Sequence, residues 1–195
     1  MLDLPNVSIV CITNKDFEGH KMALDKSCEK INFGSAKIIW DEKCNSIDEW
    51  NKKIIYDLPK YVDTDFCFLF HGDGYIIHPE LWRDEWLAYD YIGAPWPLPR
   101  DNYSYRDEAG EIVRVGNSVS LRSKKLMDLV ATREWKSYHG NTNEDGFICC
   151  HNRKWLESQG CKFAPIEIAK YFSREHEVEE NKDVIHTFAF HSVDL

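Results

Sequence analysis

The stretch "DFCFLFHGDGYI" carries an apolar run into a lone carboxylate, Asp73, held between Gly72 and Gly74, and no basic residue stands close enough in sequence to neutralise it. Carboxylates and imidazoles are the side chains that ligate hard cations and move protons. Asp73 therefore has two readings, an Asp-Gly turn residue or an oxygen ligand at a site. His71 beside it and His191 in "FAFH" are each either core histidines or ligands. Glu144 and Asp145 in "NEDGFIC" open a helical pattern. There they are either favourable charges at a helix N-terminus or a functional acidic pair.

Elements must hold these groups in place. "VSIVCIT" (7–13), "AKIIW" (36–40) and "DFCFLF" (65–70) are continuous apolar runs rich in β-branched and aromatic residues, the pattern of strands covered on both faces. Between them Leu24, Cys28 and Ile31 mark one helix face, ended by the glycine of "NFGS". Ile47, Trp50, Ile54 and Leu58 mark a second helix, closed by Pro59. Such alternation predicts an α/β fold with parallel strands, whose ligands collect at the carboxyl ends. Asp73 follows the third strand at that end.

Downstream the character changes. "YDYIGAPW" (89–96) is a short strand entering a Pro-rich turn, and 97–115 reads as a long, polar, mobile loop. "VGNSVSLRS" (115–123) is a further strand, followed by a helix through "KKLMDLVATREW". "NEDGFICCHNRKWLESQG" reads as one helix stopping at Gly160.

Composition bounds the possibilities. With 195 residues, 43% hydrophobic and 13% aromatic, the chain has enough apolar surface for one domain, 1–195, with a real core. Its net charge of −9 (24 basic against 33 acidic) argues against a nucleic-acid surface. Seven cysteines without a CxxC pair read as buried free thiols of a reducing, cytoplasmic compartment. "MLDLPNVSIVCITN" lacks the basic start of a signal peptide. No apolar run approaches the ~18–20 residues of a membrane span, so a soluble protein is expected.

Taken in order, "DTDFCFLFHGDGYI", "WLAYDYIGAPW", "VGNSVSLRS", "NEDGFIC" and "FAFH" resemble a small family of glycosyltransferase-like proteins of unknown function with the nucleotide-sugar (GT-A) fold. The likeness spans about Pro5 to His191. It implies a Rossmann-like, mostly parallel mixed sheet flanked by helices, with a nucleotide-binding half over about 5–75 and an acceptor or catalytic half over about 76–195. It implies a sugar moved from a nucleotide-diphosphate donor to a hydroxyl acceptor such as a glycan, by a hexosyl- or deoxyhexosyl-transferase. By resemblance Asp73 matches the last aspartate of the metal motif, His191 the late histidine, and Glu144 and Asp145 the acidic pair. His71 stands where the first aspartate of the usual motif would be, so one charge of that pair is missing.

The chemistry implied is specific. A carboxylate facing a diphosphate alone would repel it by about 4 kcal/mol at 4 Å and an effective dielectric near 20. A divalent cation, Mn²⁺ or Mg²⁺, held by Asp73 and His191 with His71 nearby, reverses that sign. Asp145 is then the general base of an inverting transfer, with Glu144 orienting the acceptor.

Remaining candidates are weighed against plainer roles. Gly116 and Asn117 permit close ligand approach and a hydrogen bond to a sugar, or form a β-bulge. Trp96 after Gly93, Ala94 and Pro95 is a stacking wall or a core residue. Thr13, Asn14, Trp50 and Asn51 sit where a nucleoside would be met. Arg122 and Lys124 are phosphate partners or the solvated end of a strand. The alternatives in function are a non-catalytic carbohydrate-binding module on the same fold and a sugar-phosphate nucleotidyltransferase. The second expects a Gly-rich basic loop after the first strand, whereas "ITNKDFEGH" has one glycine. A metal-assisted hydrolase lacks an HExxH pattern.

Overall fold

The computed structural model describes residues 1–192. In chain order the elements are β1 (Leu2–Thr13), α1 (Phe17–Cys28), β2 (Ile31–Trp40), α2 (Ile47–Tyr56), β3 (Phe66–Leu69), β4 (Tyr91–Pro95), β5 (Val115–Ser123), α3 (Lys124–Val130), α4 (Glu144–Cys149), α5 (Arg153–Ser158), α6 (Ile166–Phe172), β6 (Ser173–Arg174) and β7 (Ala189–Phe190). Five strands form one sheet in the order β2-β1-β3-β5-β4, and β6 and β7 form a small parallel ribbon.

β1 pairs in parallel with β2 and with β3, because each connection carries a helix across one face. β5 runs antiparallel to both β3 and β4. The sheet is therefore mixed, and the expectation of a mostly parallel one holds only for the β2-β1-β3 half. Nothing in the apolar runs distinguishes the direction of a strand buried on both faces.

Several boundaries differ from the sequence reading for identifiable reasons. β1 and β2 begin earlier than expected, since Leu2 pairs with Ile31, and the ladder then slips between Leu4 and Ser8. Pro5 cannot donate at that point, and its carbonyl comes so close that a Cβ on Gly34 would lie 2.2 Å away. Ile31 thus opens β2 instead of closing α1. The helix expected over 143–160 is two helices: the Asn152 side chain donates to the Phe147 carbonyl (3.0 Å) and accepts from Arg133 (2.9 Å), parting α4 from α5.

The loop after β4 folds back on itself. Asp101 accepts from the Tyr103 and Ser104 amides, and Asp107 accepts from those of Ala109 and Glu111 while pairing with Lys154 at 3.0 Å. These aspartates supply the turn bonds that a long polar loop would otherwise lack.

Helices cover both sheet faces. On one side Ile9, Cys11 and Phe68 pack with Ala23 of α1 and with Phe172, Phe188 and Trp86. On the other, Val10, Ile12 and Leu69 meet Ile54 of α2. A further cluster joins Leu126 and Val130 to Phe147, Ile148 and Leu156. All seven cysteines are free, six buried and Cys28 half-buried. No helix among the described residues is long and apolar enough to cross a membrane.

Candidate functional site

A cleft of about 360 Å³ opens at the carboxyl ends of β1 and β3, the position that strand direction prescribes. β1 delivers Thr13, Asn14 and Lys15 to its wall, and the start of α2 delivers Ser46, Ile47 and Trp50. α2 begins there because the Ser46 hydroxyl accepts from the Glu49 amide (3.2 Å) while the Glu49 carboxylate accepts from the Asn45 amide (2.9 Å). Cys44, His71, Asp73, Ser118, Asn143 and His191 complete the lining.

Four residues, His71 to Gly74, make a tight turn. The His71 amide donates to the Gly74 carbonyl (2.7 Å) and the Gly74 amide returns the bond (3.3 Å), leaving Gly72 and Asp73 at the tip. Asp73 is thus a turn residue, and it also lies on the cleft. Its side chain is 67% exposed and is not without partners. The Ser192 hydroxyl donates to Asp73 Oδ2 (2.8 Å), and His191 Nε2 lies 3.8 Å from Oδ1. Burial pushes against ionisation, but Ser192 and then the two imidazoles hold the carboxyl below its ordinary value.

His191 reaches this point because β7 lies beside β6 and Gly74 has no side chain. A Cβ there would stand 2.8 Å from the His191 ring. Its imidazole stacks on His71 (5.2 Å, 23°), and His71 in turn meets Trp50 (5.2 Å). Burial opposes charge on His191, yet Glu175, 3.5 Å from Nδ1, and Asp73 raise its pKa. Burial and then His191 push His71 down to about 3, so it stays neutral at ordinary pH. His71 Nε2 is buried and makes no hydrogen bond.

The three side chains assigned to a cation by resemblance therefore share one rim. They do not form a coordination shell in this structure. Stacked imidazoles send their lone pairs along parallel planes, whereas a ligand set aims them at one point. Among the described residues no group of three or more His, Cys, Asp or Glu side chains comes together to hold a metal ion.

A second, smaller pocket of about 190 Å³ is lined by Trp96, Tyr105, Asn141, Asn143, Asp145 and Glu175, with Gly140, Thr142 and His176. Asn143 lines both cavities, and the His191–Glu175 contact joins their rims. Asp145 is half-buried here at the start of α4. Desolvation, then the charge of Glu144, lifts its pKa to about 7.

Other candidates sit elsewhere. Glu144 and Arg122 are 0% and 1% exposed and bond to each other at 2.6 Å, so Glu144 is not placed to orient an acceptor nor Arg122 to meet a phosphate. Glu144 also accepts from the Ser118 hydroxyl (3.0 Å), and its amide donates to the Asn51 side chain (3.0 Å). Asn51 is buried, tying α2 to α4 instead of facing a nucleoside. Lys124 pairs with Asp128. Gly116 does permit close approach, but by the Trp96 indole, which a Cβ would meet at 2.0 Å. Trp96 is accordingly buried against Tyr105, with only an edge on the smaller pocket. Asn117 is buried with φ of 92°, its Oδ1 accepting from the Val119 amide (2.8 Å) and its Nδ2 unpartnered.

Among the residues that sequence reading missed are Lys15, Ser46, Ser118 and Asn143 in the cleft, and Tyr105, Asn141 and Glu175 in the smaller pocket. The capping pattern of Ser46 with Glu49 carried a signal; Glu175 lay in a charged stretch with none.

Fold and site together define a mixed α/β protein with paired cavities at the strand ends. The chain belongs to the family described as a protein of unknown function (DUF5672), whose model matches residues 47–191. No curated protein matches the chain. Among solved structures, A197 from STIV is similar over 81% of this chain and 80% of its own, at 10% identity and a TM-score of 0.41.

Proposed function

We propose that this protein is a glycosyltransferase of the GT-A type, transferring a sugar from a nucleotide-diphosphate donor to a hydroxyl acceptor with inversion. The observation that carries the reading is the pair of cavities meeting at Asn143, with Asp145 on the wall of the smaller one, where burial and the charge of Glu144 raise its pKa to about 7. A base of that strength is matched to taking a hydroxyl proton near neutrality.

In this reading the donor occupies the larger cleft. Thr13 and Asn14 stand at the end of β1 and Trp50 offers a flat flank for the nucleoside. Lys15, a basic residue on this cleft, faces the diphosphate, replacing Arg122 and Lys124 as its positive partner. As the bond from sugar to phosphate breaks, the diphosphate leaves with the electron pair and the anomeric carbon gains oxocarbenium character. The acceptor oxygen attacks from the opposite face and gives its proton to Asp145. No step is routed through a cation; among the described residues Asp73 is the carboxylate the cleft offers to a Mn²⁺ or Mg²⁺ ion carried in on the diphosphate.

A thermal-shift panel of UDP-, GDP- and dTDP-sugars, with and without Mn²⁺, tests the donor assignment. Ligand at a hundred times its Kd stabilises by about 2.7 kcal/mol, a rise of about 5–10 °C for a chain of this size. One nucleotide should produce that rise, and Lys15→Ala should abolish it. Failure of every sugar nucleotide to stabilise the protein refutes the proposal, and binding without nucleotide release in the presence of acceptors leaves a carbohydrate-binding module in its place.

A further inference from the structure

We infer that the smaller pocket takes an amine-bearing sugar or polyol, so that the acceptor in the reading above, on which this inference rests, is an amino sugar. Among the described residues its lining holds two carboxylates, Asp145 and Glu175, and neither Lys nor Arg. Asn141 supplies an unsatisfied neutral donor on the same lining. Asn141 is only 6% exposed, its Oδ1 is engaged by the Tyr105 amide (3.3 Å), and its Nδ2 is buried without a partner. A buried amide N–H left unmade is costly, and a hydroxyl or ring oxygen of a ligand in this pocket satisfies it. Tyr105 adds an aromatic edge, with a phenol whose pKa is raised by burial and then by Glu175 and Asp145. Its φ of 50° is unusual for a tyrosine and is fixed by Asn141 on its amide and by the Val113 amide on its carbonyl (2.7 Å).

About 190 Å³ suits a single sugar ring and excludes a nucleotide. An oxygen-rich ring satisfies Asn141, and a protonated amino group satisfies the carboxylates by charge-assisted bonds, which are stronger than those a neutral hydroxyl makes. Glu175 is the partner for the ammonium, since Asp145 must stay free to receive the proton. Glu175 lies beside His191 (3.5 Å) and His176 (3.6 Å), and its two oxygens leave room for a further donor.

The test is saturation-transfer NMR and calorimetry with glucosamine, glucose and N-acetylglucosamine as probes on the whole chain, without nucleotide. Glucosamine should bind about tenfold tighter than glucose, and N-acetylation should remove the advantage. Glu175→Gln, nearly isosteric, should bring glucosamine down to the affinity of glucose, while Asn141→Ala should weaken both sugars alike. Equal binding of the three probes to the wild-type protein, or a preference surviving in Glu175→Gln, overturns the inference. The wild-type comparison needs no variant to fold. Glucosamine binding in a protein that no sugar nucleotide stabilises would uphold this pocket and refute the transferase; the opposite pair of results would refute the pocket alone.

Discussion

In the proposed mechanism Asp145 receives the acceptor's proton, and its environment sets what variants of it should do. Replacing it with Asn leaves the size of the side chain unchanged and removes the base, so transfer should fall by about 10²–10⁴-fold with the fold retained. On that mechanism the wild-type kcat/KM should rise with pH through a midpoint near 7, as the carboxylate forms, and Asp145→Asn should flatten that limb. The same shift acts on stability. A carboxyl whose folded pKa is lifted from 3.8 to about 7 contributes stability fully present below 3.8 and lost as pH rises through 7, because the folded site resists the charge. Asp145→Asn should therefore melt higher than wild type at pH 8 than it does at pH 5, relative to wild type at each pH. A constant difference in melting temperature across that range would show that desolvation does not govern this carboxyl.

At the scale of elements, β4 and β5 approach so closely that a Cβ on Gly93 would lie 1.8 Å from the Gly116 carbonyl oxygen, just where their register slips between Ile92 and Ala94. Gly93→Ala should destabilise the protein by ~1–3 kcal/mol or more, read as a lower urea midpoint at unchanged m-value. That contact holds Trp96 over Gly116 and so fixes one wall of the smaller pocket. The Arg122–Glu144 pair performs a similar service for α4. Glu144→Gln leaves a guanidinium uncompensated in the core and should cost ~3–5 kcal/mol, whereas the double variant Arg122→Met/Glu144→Gln should recover most of it. If the single and double variants unfold at the same denaturant concentration, the pair is not what seats α4.

For the molecule as a whole, donor and acceptor sides should separate. Tyr105 stands on the folded loop and touches only the smaller cavity. Tyr105→Ala should raise the acceptor KM about threefold to tenfold, the worth of one aromatic contact, without changing donor binding or donor hydrolysis. Parallel losses in both would mean that the two cavities do not work as independent halves.

How much of this was legible beforehand follows from the range of the forces involved. The apolar runs and helical spacings of the first seventy residues fixed β1, α1, α2 and β3, and with them the place of Thr13, Asn14, Trp50, His71 and Asp73 at the strand ends, because each depends on local pattern and on the crossover rule. The sequence alone could not say that Glu144 turns inward while its neighbour Asp145 faces a pocket. Adjacent residues on a helix point about 100° apart, and only the buried Arg122 on β5, distant in sequence, decides which of the two is neutralised. Likewise Glu175 and His191 gain meaning through the β6–β7 pairing, a contact between short segments with no periodicity of their own. Tertiary packing, which sets burial and charge partners across the chain, made Glu144 one half of a buried ion pair and left Asp145 on the wall of a pocket with its pKa raised.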